Sequence, residues 1–223
     1  MVSAALLVVA GIELVCVVAL WTRTRREARV LILGLVGLGI AYDSAIFALG
    51  ALIGEGSLLH ALSVGRFAGH ALLTPLLVLW AVDRVGASTR WRRAGVVLTV
   101  LLVAWGVLGE LVHLRLVPRH FADTVRYAGE HPAVPIPALV VTAVLLAAGV
   151  VLWRAEGLRF PVFGIVALIL ASGAAVACPP LGNAGEAVMI VALTGAELVV
   201  AGRGSAGQLR GSELVMNRKN SRR

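Results

Sequence analysis

The chain has 223 residues, 59% of them hydrophobic and 14% charged, with a formal charge of +8 and a mean hydropathy of +0.93. That composition excludes an ordinary soluble domain. A basic excess that would suggest nucleic acid in a soluble protein sits here in short clusters between long apolar runs, so it reports membrane topology and no nucleic-acid partner is expected.

A helix needs roughly 20 apolar residues to cross the hydrocarbon core, and the sequence predicts seven such spans. The first, 2–22, carries Glu13 and Cys16. It has no basic residue before it and no small-residue cleavage site, so it is expected to be a span and not a removable leader. The second, 29–54, holds Asp43 inside "LGIAYDSAIFALG", with glycines at 34, 37, 39, 50 and 54 that favour close helix contact and a central position. The third, 66–85, contains Arg66, Phe67 and His70; Pro75 cannot donate to the carbonyl of Ala71 and is expected to kink it, with Thr74 nearby. The fourth, 94–117, carries Trp105, Glu110 and His113. The fifth and sixth, 134–153 and 161–179, are almost wholly apolar, and the seventh, 186–202, is bounded by Glu186 and contains Glu197. Residues 1–203 thus form one all-α, seven-helix membrane bundle, and 204–223 are expected to be a flexible basic cytoplasmic tail held near anionic lipid.

Sixteen of the twenty basic residues fall on one side of this path, in "RTRREAR", "DRVGASTRWRR", "WRAEGLRF" and the tail, and four (Arg66, Arg115, Arg119, Arg126) on the other. The positive-inside rule then puts the N-terminus outside and the C-terminus inside a multi-pass cell-membrane protein. Trp21, Trp80 and Trp153, each just before an arginine or close to one at a span end, read as inner-interface anchors. Cys16 and Cys178 have neither disulfide-framework nor zinc spacing and read as packing residues.

A rise of 1.5 Å per residue converts sequence into depth. Asp43 lies fourteen residues beyond Arg29 and His70 fourteen before Arg84, so both are expected roughly 21 Å from the inner boundary. Glu110 follows Arg93 by seventeen residues, about 25 Å, with His113 one turn further out. An ionised group at membrane depth costs at least roughly 2.5–3.5 kcal/mol on insertion scales and therefore faces protein or a wet pocket, which makes it a functional candidate. Asp43, His70 and Glu110 are the expected acid–base groups of one outer-half cavity. Arg66, one turn before His70, is expected at its rim, and Tyr42, Phe47, Phe67, Trp105 and His113 are expected around the substrate.

Several chemistries use residues of these types. Glu-x-x-His at 110–113 is a spacing used by carboxylate-bridged metal bundles, but it occurs once where those bundles use it twice, so no metal or other cofactor is expected. Ser44 and Ser63 lack an elbow motif for a serine hydrolase. A retinal receptor is excluded because the single lysine, Lys219, lies in the tail. A buried general acid acting on an apolar substrate fits better.

"AYDSAIFALG" and "EAVMIVALTGAELVV" give a small seven-span chain an acid in its second span and another in its last. In this it resembles the transmembrane terpene cyclases of meroterpenoid and indole-terpenoid pathways and their bacterial counterparts. The resemblance implies an integral membrane enzyme acting on a lipid or isoprenoid substrate, in which Asp43 and Glu197 start cyclisation by protonating an alkene or epoxide. Depth counting sets Glu197 about 9 Å from the inner boundary, well below Asp43. Two other classes remain open: a proton- or solute-coupled transporter, for which buried acids and histidines are equally expected, and a non-catalytic membrane subunit whose polar contacts fix helix register.

Overall fold

In hydrocarbon every backbone polar group must be satisfied within the segment, so long apolar runs become helices. The structure, a computed structural model, describes residues 1–24, 27–130 and 134–220, with side chains described as far as Arg203. In chain order it has α1 (Val2–Arg23), α2 (Ala28–Ile53), α3 (Ser57–Leu73), α4 (Leu76–Arg84), α5 (Thr89–Trp105), a π-helical turn Gly106–Leu111, strands β1 (Leu116–Phe121) and β2 (Thr124–Gly129), α6 (Ile136–Glu156), α7 (Phe160–Ala174) and α8 (Pro180–Asn220).

Six helical stretches are long and apolar enough to cross a membrane, with α3 and α4 counting as one and α5 taken with its π turn. The expected sixth span, 161–179, is the 15-residue α7, shorter than the other six and roughly 22 Å long at 1.5 Å per residue. Their outer faces are apolar: Val15, Leu101 and Phe163 are 68%, 61% and 60% exposed. Such faces suit lipid and would be a liability in water.

Several boundaries differ from the sequence expectation, among them the start of the last span, at Pro180 and not 186. The third span starts at Ser57, nine residues before Arg66: Leu59 and Ser63 turn one face of this first stretch inward, while Ser57 and His60 stay exposed. The fourth ends in the π turn, and the chain from Leu116 forms a hairpin in place of more helix. Pro75 breaks the helix as expected. Leu77 N and Val78 N donate to the carbonyls of Thr74 and Pro75, a tightened 3₁₀ geometry that turns α3 into α4.

The core runs through α1, α2, α4, α6, α7 and α8 around Leu20, Leu33, Trp80, Leu145, Ile165 and Leu193. α2 is central, touching α1, α3, α4, α8 and β2. Its glycines permit this: a Cβ at Gly37 would stand 2.8 Å from Val17 Cγ2 and one at Gly39 2.7 Å from Leu73 Cδ1. At Gly50 a Cβ would overlap the Val125 carbonyl, so the hairpin backbone sits directly on α2.

Strands β1 and β2 pair antiparallel from Leu116↔Gly129 to Phe121↔Thr124, leaving Ala122 and Asp123 as the turn. Ala122 takes the left-handed conformation (φ 51°), where glycine or asparagine is more usual. Asp123 accepts from the Met1 amine and from the amides of Val2 and Ser3, tying the hairpin to the start of α1. These donors, the amine foremost, hold the Asp123 carboxyl well below the usual aspartate range. His120 also pairs with Glu55 at 2.7 Å. The bundle therefore has a hairpin end and an opposite end where Arg29, Arg84 and Glu156 gather.

Trp80 is not an interface anchor. It is 1% exposed and donates from Nε1 to Glu197, while Trp21 and Trp153 are more than a third exposed. α8 carries its helical backbone through Asn220, beyond the expected end of the bundle.

Candidate functional site

Asp43 lies on the buried face of α2, and four other helical side chains converge on it. Arg66 Nε, from α3, donates to Asp43 Oδ1 at 2.5 Å, and Asn183 Nδ2, from α8, donates to Oδ2 at 2.6 Å. Asn183 Nδ2 also reaches Ser44 Oγ at 3.2 Å. One turn along α3, His70 Nε2 stands 3.8 Å from Asp43 Oδ1, and its Nδ1 stands 4.0 Å from Glu186 Oε1 and 3.5 Å from Thr74 Oγ1. Helical spacing makes this possible: Arg66 and His70 are four residues apart and Asn183 and Glu186 three, so each pair shares a face.

Both oxygens of Asp43 accept from firm donors, which is the pattern of an acceptor carboxylate orienting its neighbours. His70 is the group with freedom, bridging two carboxyls at the wall of a cavity of about 260 Å³. Asp43, Arg66, Phe67, Asn183, Glu186 and Arg126 of β2 line the same cavity.

Below the cavity Phe47 is fully buried, with the Arg66 guanidinium 5.6 Å and that of Arg126 4.5 Å from its ring centroid. Stacking on the aromatic face stabilises both cations. Burial, with the nearby Arg66 charge, pushes the Arg126 guanidinium down to about 10. It remains charged at neutral pH, and among the described residues no carboxylate lies within ion-pair distance of it.

Several buried polar atoms have no hydrogen-bond partner, Ser63 Oγ, Arg84 Nε and Thr194 Oγ1 among them. Arg66 Nη1 has no hydrogen-bond partner although the residue is 7% exposed, and both oxygens of Glu13 on α1 are buried without one.

The expected site is assembled in part. Asp43, His70 and Arg66 share one cavity, with Arg66 in the wall beside Asp43 and not at an outer rim. Glu110 and His113 line a neighbouring cavity of about 640 Å³ under the hairpin, and Phe67 borders both. Tyr42 donates to the Leu62 carbonyl at 2.9 Å and so pins α2 to α3. Trp105 is 54% exposed on the outside of α5 and lines neither cavity.

Glu197 belongs elsewhere. Its Oε1 accepts from Trp80 Nε1 at 2.9 Å and faces Arg84 Nε at 3.6 Å, and its Oε2 accepts from Arg29 Nε at 3.2 Å. Arg84 in turn holds Glu156 through two hydrogen bonds of 2.6 and 2.9 Å. Asn183 and Glu197 are fourteen residues apart on α8, as Asp43 and Arg29 are on α2, so the two clusters lie roughly 21 Å apart. The two acids that the cyclase resemblance pairs do not share a pocket.

Ser44, Asn183, Glu186 and Arg126 complete the site without having been expected in it. Asn183 precedes the expected last span in "PPLGNAGE", Arg126 lies in a stretch without helical signal, and Ser44 is adjacent to Asp43, about 100° around the helix.

One ligand atom from each of Asp43, His70 and Glu186 lies within 4.8 Å of the others, a spacing open to a metal ion. Arg66 already donates to the same Asp43 oxygen, and its charge at that distance opposes a divalent cation. The cluster suits proton handling better. Comparison with known protein families, curated proteins and solved structures finds no match for the chain.

Proposed function

We propose that the protein is a multi-pass cell-membrane enzyme acting on a lipid or isoprenoid substrate, with His70 as the proton-transferring group and Asp43 as the carboxylate that orients it. The observation that carries this reading is the convergence of Asp43, His70 and Glu186, from α2, α3 and α8, on one cavity at membrane depth. Buried ionisable groups are costly in a bilayer, and a site that collects several beside open space has a use for them. Arg66 and Asn183 hold Asp43, Asp43 and Glu186 flank the imidazole, and the cavity admits a reacting group next to it. Proton-initiated cyclisation of a prenyl chain is one reaction such a group could start, with His70 and Asp43 serving in place of the Asp43–Glu197 pair. The excess of basic residues at the opposite end supports reading the hairpin end, and with it the site, as outer.

The test is His70→Gln, which keeps much of the size and hydrogen-bonding capacity but cannot carry a proton at neutral pH. It should insert and melt like the parent yet lose at least roughly 10²-fold in turnover. Turnover is read by mass spectrometry on a panel of lipids and prenylated compounds, epoxides included. Full turnover in the folded variant would remove His70 as the proton carrier. A second reading, proton-coupled transport, is favoured by Glu13 alone, a carboxyl buried beside Ser44 with no ion-pair partner among the described residues. Under that reading Glu13→Gln abolishes pH-driven uptake and leaves turnover of the panel at background in every variant.

A further inference from the structure

The cavity beside His70 holds more cationic capacity than its own carboxylates use. Arg66 spends Nε on Asp43 and leaves Nη1 buried with no partner, in a side chain that is 7% exposed. A buried donor without an acceptor costs roughly 1–3 kcal/mol, more when charged, so the Arg66 guanidinium, which lines the cavity, has a donor to spare. Arg126 brings a second guanidinium to the same cavity from β2, outside the helices. Neither Asp43 nor Glu186 answers these donors. Asp43 is taken up by Arg66 Nε and Asn183, and Glu186 faces His70.

Two arginines that converge on one space are suited to an oxyanion with several acceptor atoms, since each guanidinium presents a fork of donors. The space, about 260 Å³, equals roughly eight waters at their liquid volume of ~30 Å³ each. That accommodates a phosphate headgroup. We propose that this cavity binds a phosphate ester group, with Arg66 Nη1 and Arg126 donating to its oxygens and any hydrocarbon tail lying outside it. The inference rests on the reading of the cavity as a substrate site and names the chemical class that site receives. Held there, the ester oxygens are within reach of the His70 proton.

The full chain in neutral detergent is titrated with short-chain phosphatidic acid, with phosphatidylcholine of the same chain length and with inorganic phosphate, and complexes are counted by native mass spectrometry. Phosphatidic acid should bind one to one, at least about tenfold tighter than phosphatidylcholine, and Arg126→Gln should weaken it about tenfold, the size of one charge-assisted hydrogen bond. Arg126→Lys, which keeps the charge but not the fork, should fall between and serves if the Gln variant does not fold. Inorganic phosphate that binds as tightly as phosphatidic acid assigns the site to a soluble phosphate compound; phosphate that competes only in large excess assigns it to a lipid. Both results uphold the phosphate site. Parent-like affinity in Arg126→Gln, or binding of neither phosphate compound, overturns it. If His70→Gln loses turnover while phosphate compounds fail to bind, the proton-transfer reading stands and this inference falls. The opposite pair of results reverses that.

Discussion

Two polar clusters occupy the two halves of this bundle; each leaves one buried arginine nitrogen unpaired, Arg84 Nε in the first and Arg66 Nη1 in the second, and of the two the second opens onto a described cavity. At the arginine end Glu197 is enclosed by Trp80, Arg29 and Arg84, with Arg84 bound bidentately to Glu156, and no described cavity opens onto Glu197. At the hairpin end Asp43 is equally well held, yet Arg66 Nη1 is unpaired and His70 borders open space. Buried charge by itself therefore does not mark a site, because both clusters have it. Residual capacity beside a cavity distinguishes the second, and the first reads as a clamp that joins α2, α4, α6 and α8 at one end.

The sharpest way to break this contrast is Glu197→Ala. It leaves the Trp80 indole without its acceptor and removes one of the carboxylates around Arg29 and Arg84, which keep Glu27 and Glu156, so the loss should reach at most the roughly 3–5 kcal/mol typical of breaking a buried ion pair. Thermal or denaturant unfolding in detergent should show that loss, while turnover per folded molecule stays near the parent value. A folded Glu197→Ala protein with abolished turnover would make the clamp part of the chemistry. A smaller effect is expected at the boundary between scaffold and site. Gly50→Ala presses a methyl against the Val125 carbonyl and must lift the hairpin, at about 1–3 kcal/mol for overpacking. Hydrogen exchange should quicken in 116–129, and phosphatidic acid binding should weaken as Arg126 leaves Phe47. Unchanged exchange would mean that the hairpin is not seated on α2.

The smallest effect concerns acid. Asp123 titrates lower in the fold than the ordinary aspartate value of 3.8, so its anchoring is complete above that value and is lost as pH falls below it towards the lowered folded value. Exchange at Val2 and Ser3 should rise on acidification through that window, and Asp123→Asn should remove the dependence. A rise that persists in the Asn variant would assign it to another group.

The helices were legible because lipid demands long apolar runs, and Pro75 because its missing donor has only one consequence inside a helix. Depth arithmetic put Asp43 and His70 at one level, where they do meet, and separated Glu197 from them, as the hydrogen bonds do. It could not supply azimuth. That is why Arg66 was expected at a rim, why Tyr42 and Trp105 were expected at the cavity, and why Asn183 and Ser44 were passed over. The hairpin escaped notice because its turn, Ala122–Asp123, lacks the Asn-Gly or Asp-Gly that announces such turns. With it went Arg126, whose side chain reaches the site only through the fold.

The Asp43 hydrogen bonds also impose an order on biogenesis. Arg66 follows Asp43 by 23 residues and Asn183 by 140. A ribosome at roughly 5–20 residues per second makes the first partner within a few seconds and the second after roughly 7–28 seconds. An aspartate at mid-helix is disfavoured by roughly 2.5–3.5 kcal/mol in the insertion machinery. We therefore expect α2 and α3 to leave the translocation channel together as an antiparallel pair that is already neutralised. Until α8 arrives with Asn183, one oxygen of Asp43 lacks that donor. A nascent chain stalled before that helix would expose the half-built pocket to lipid, where membrane quality-control proteases could recognise it.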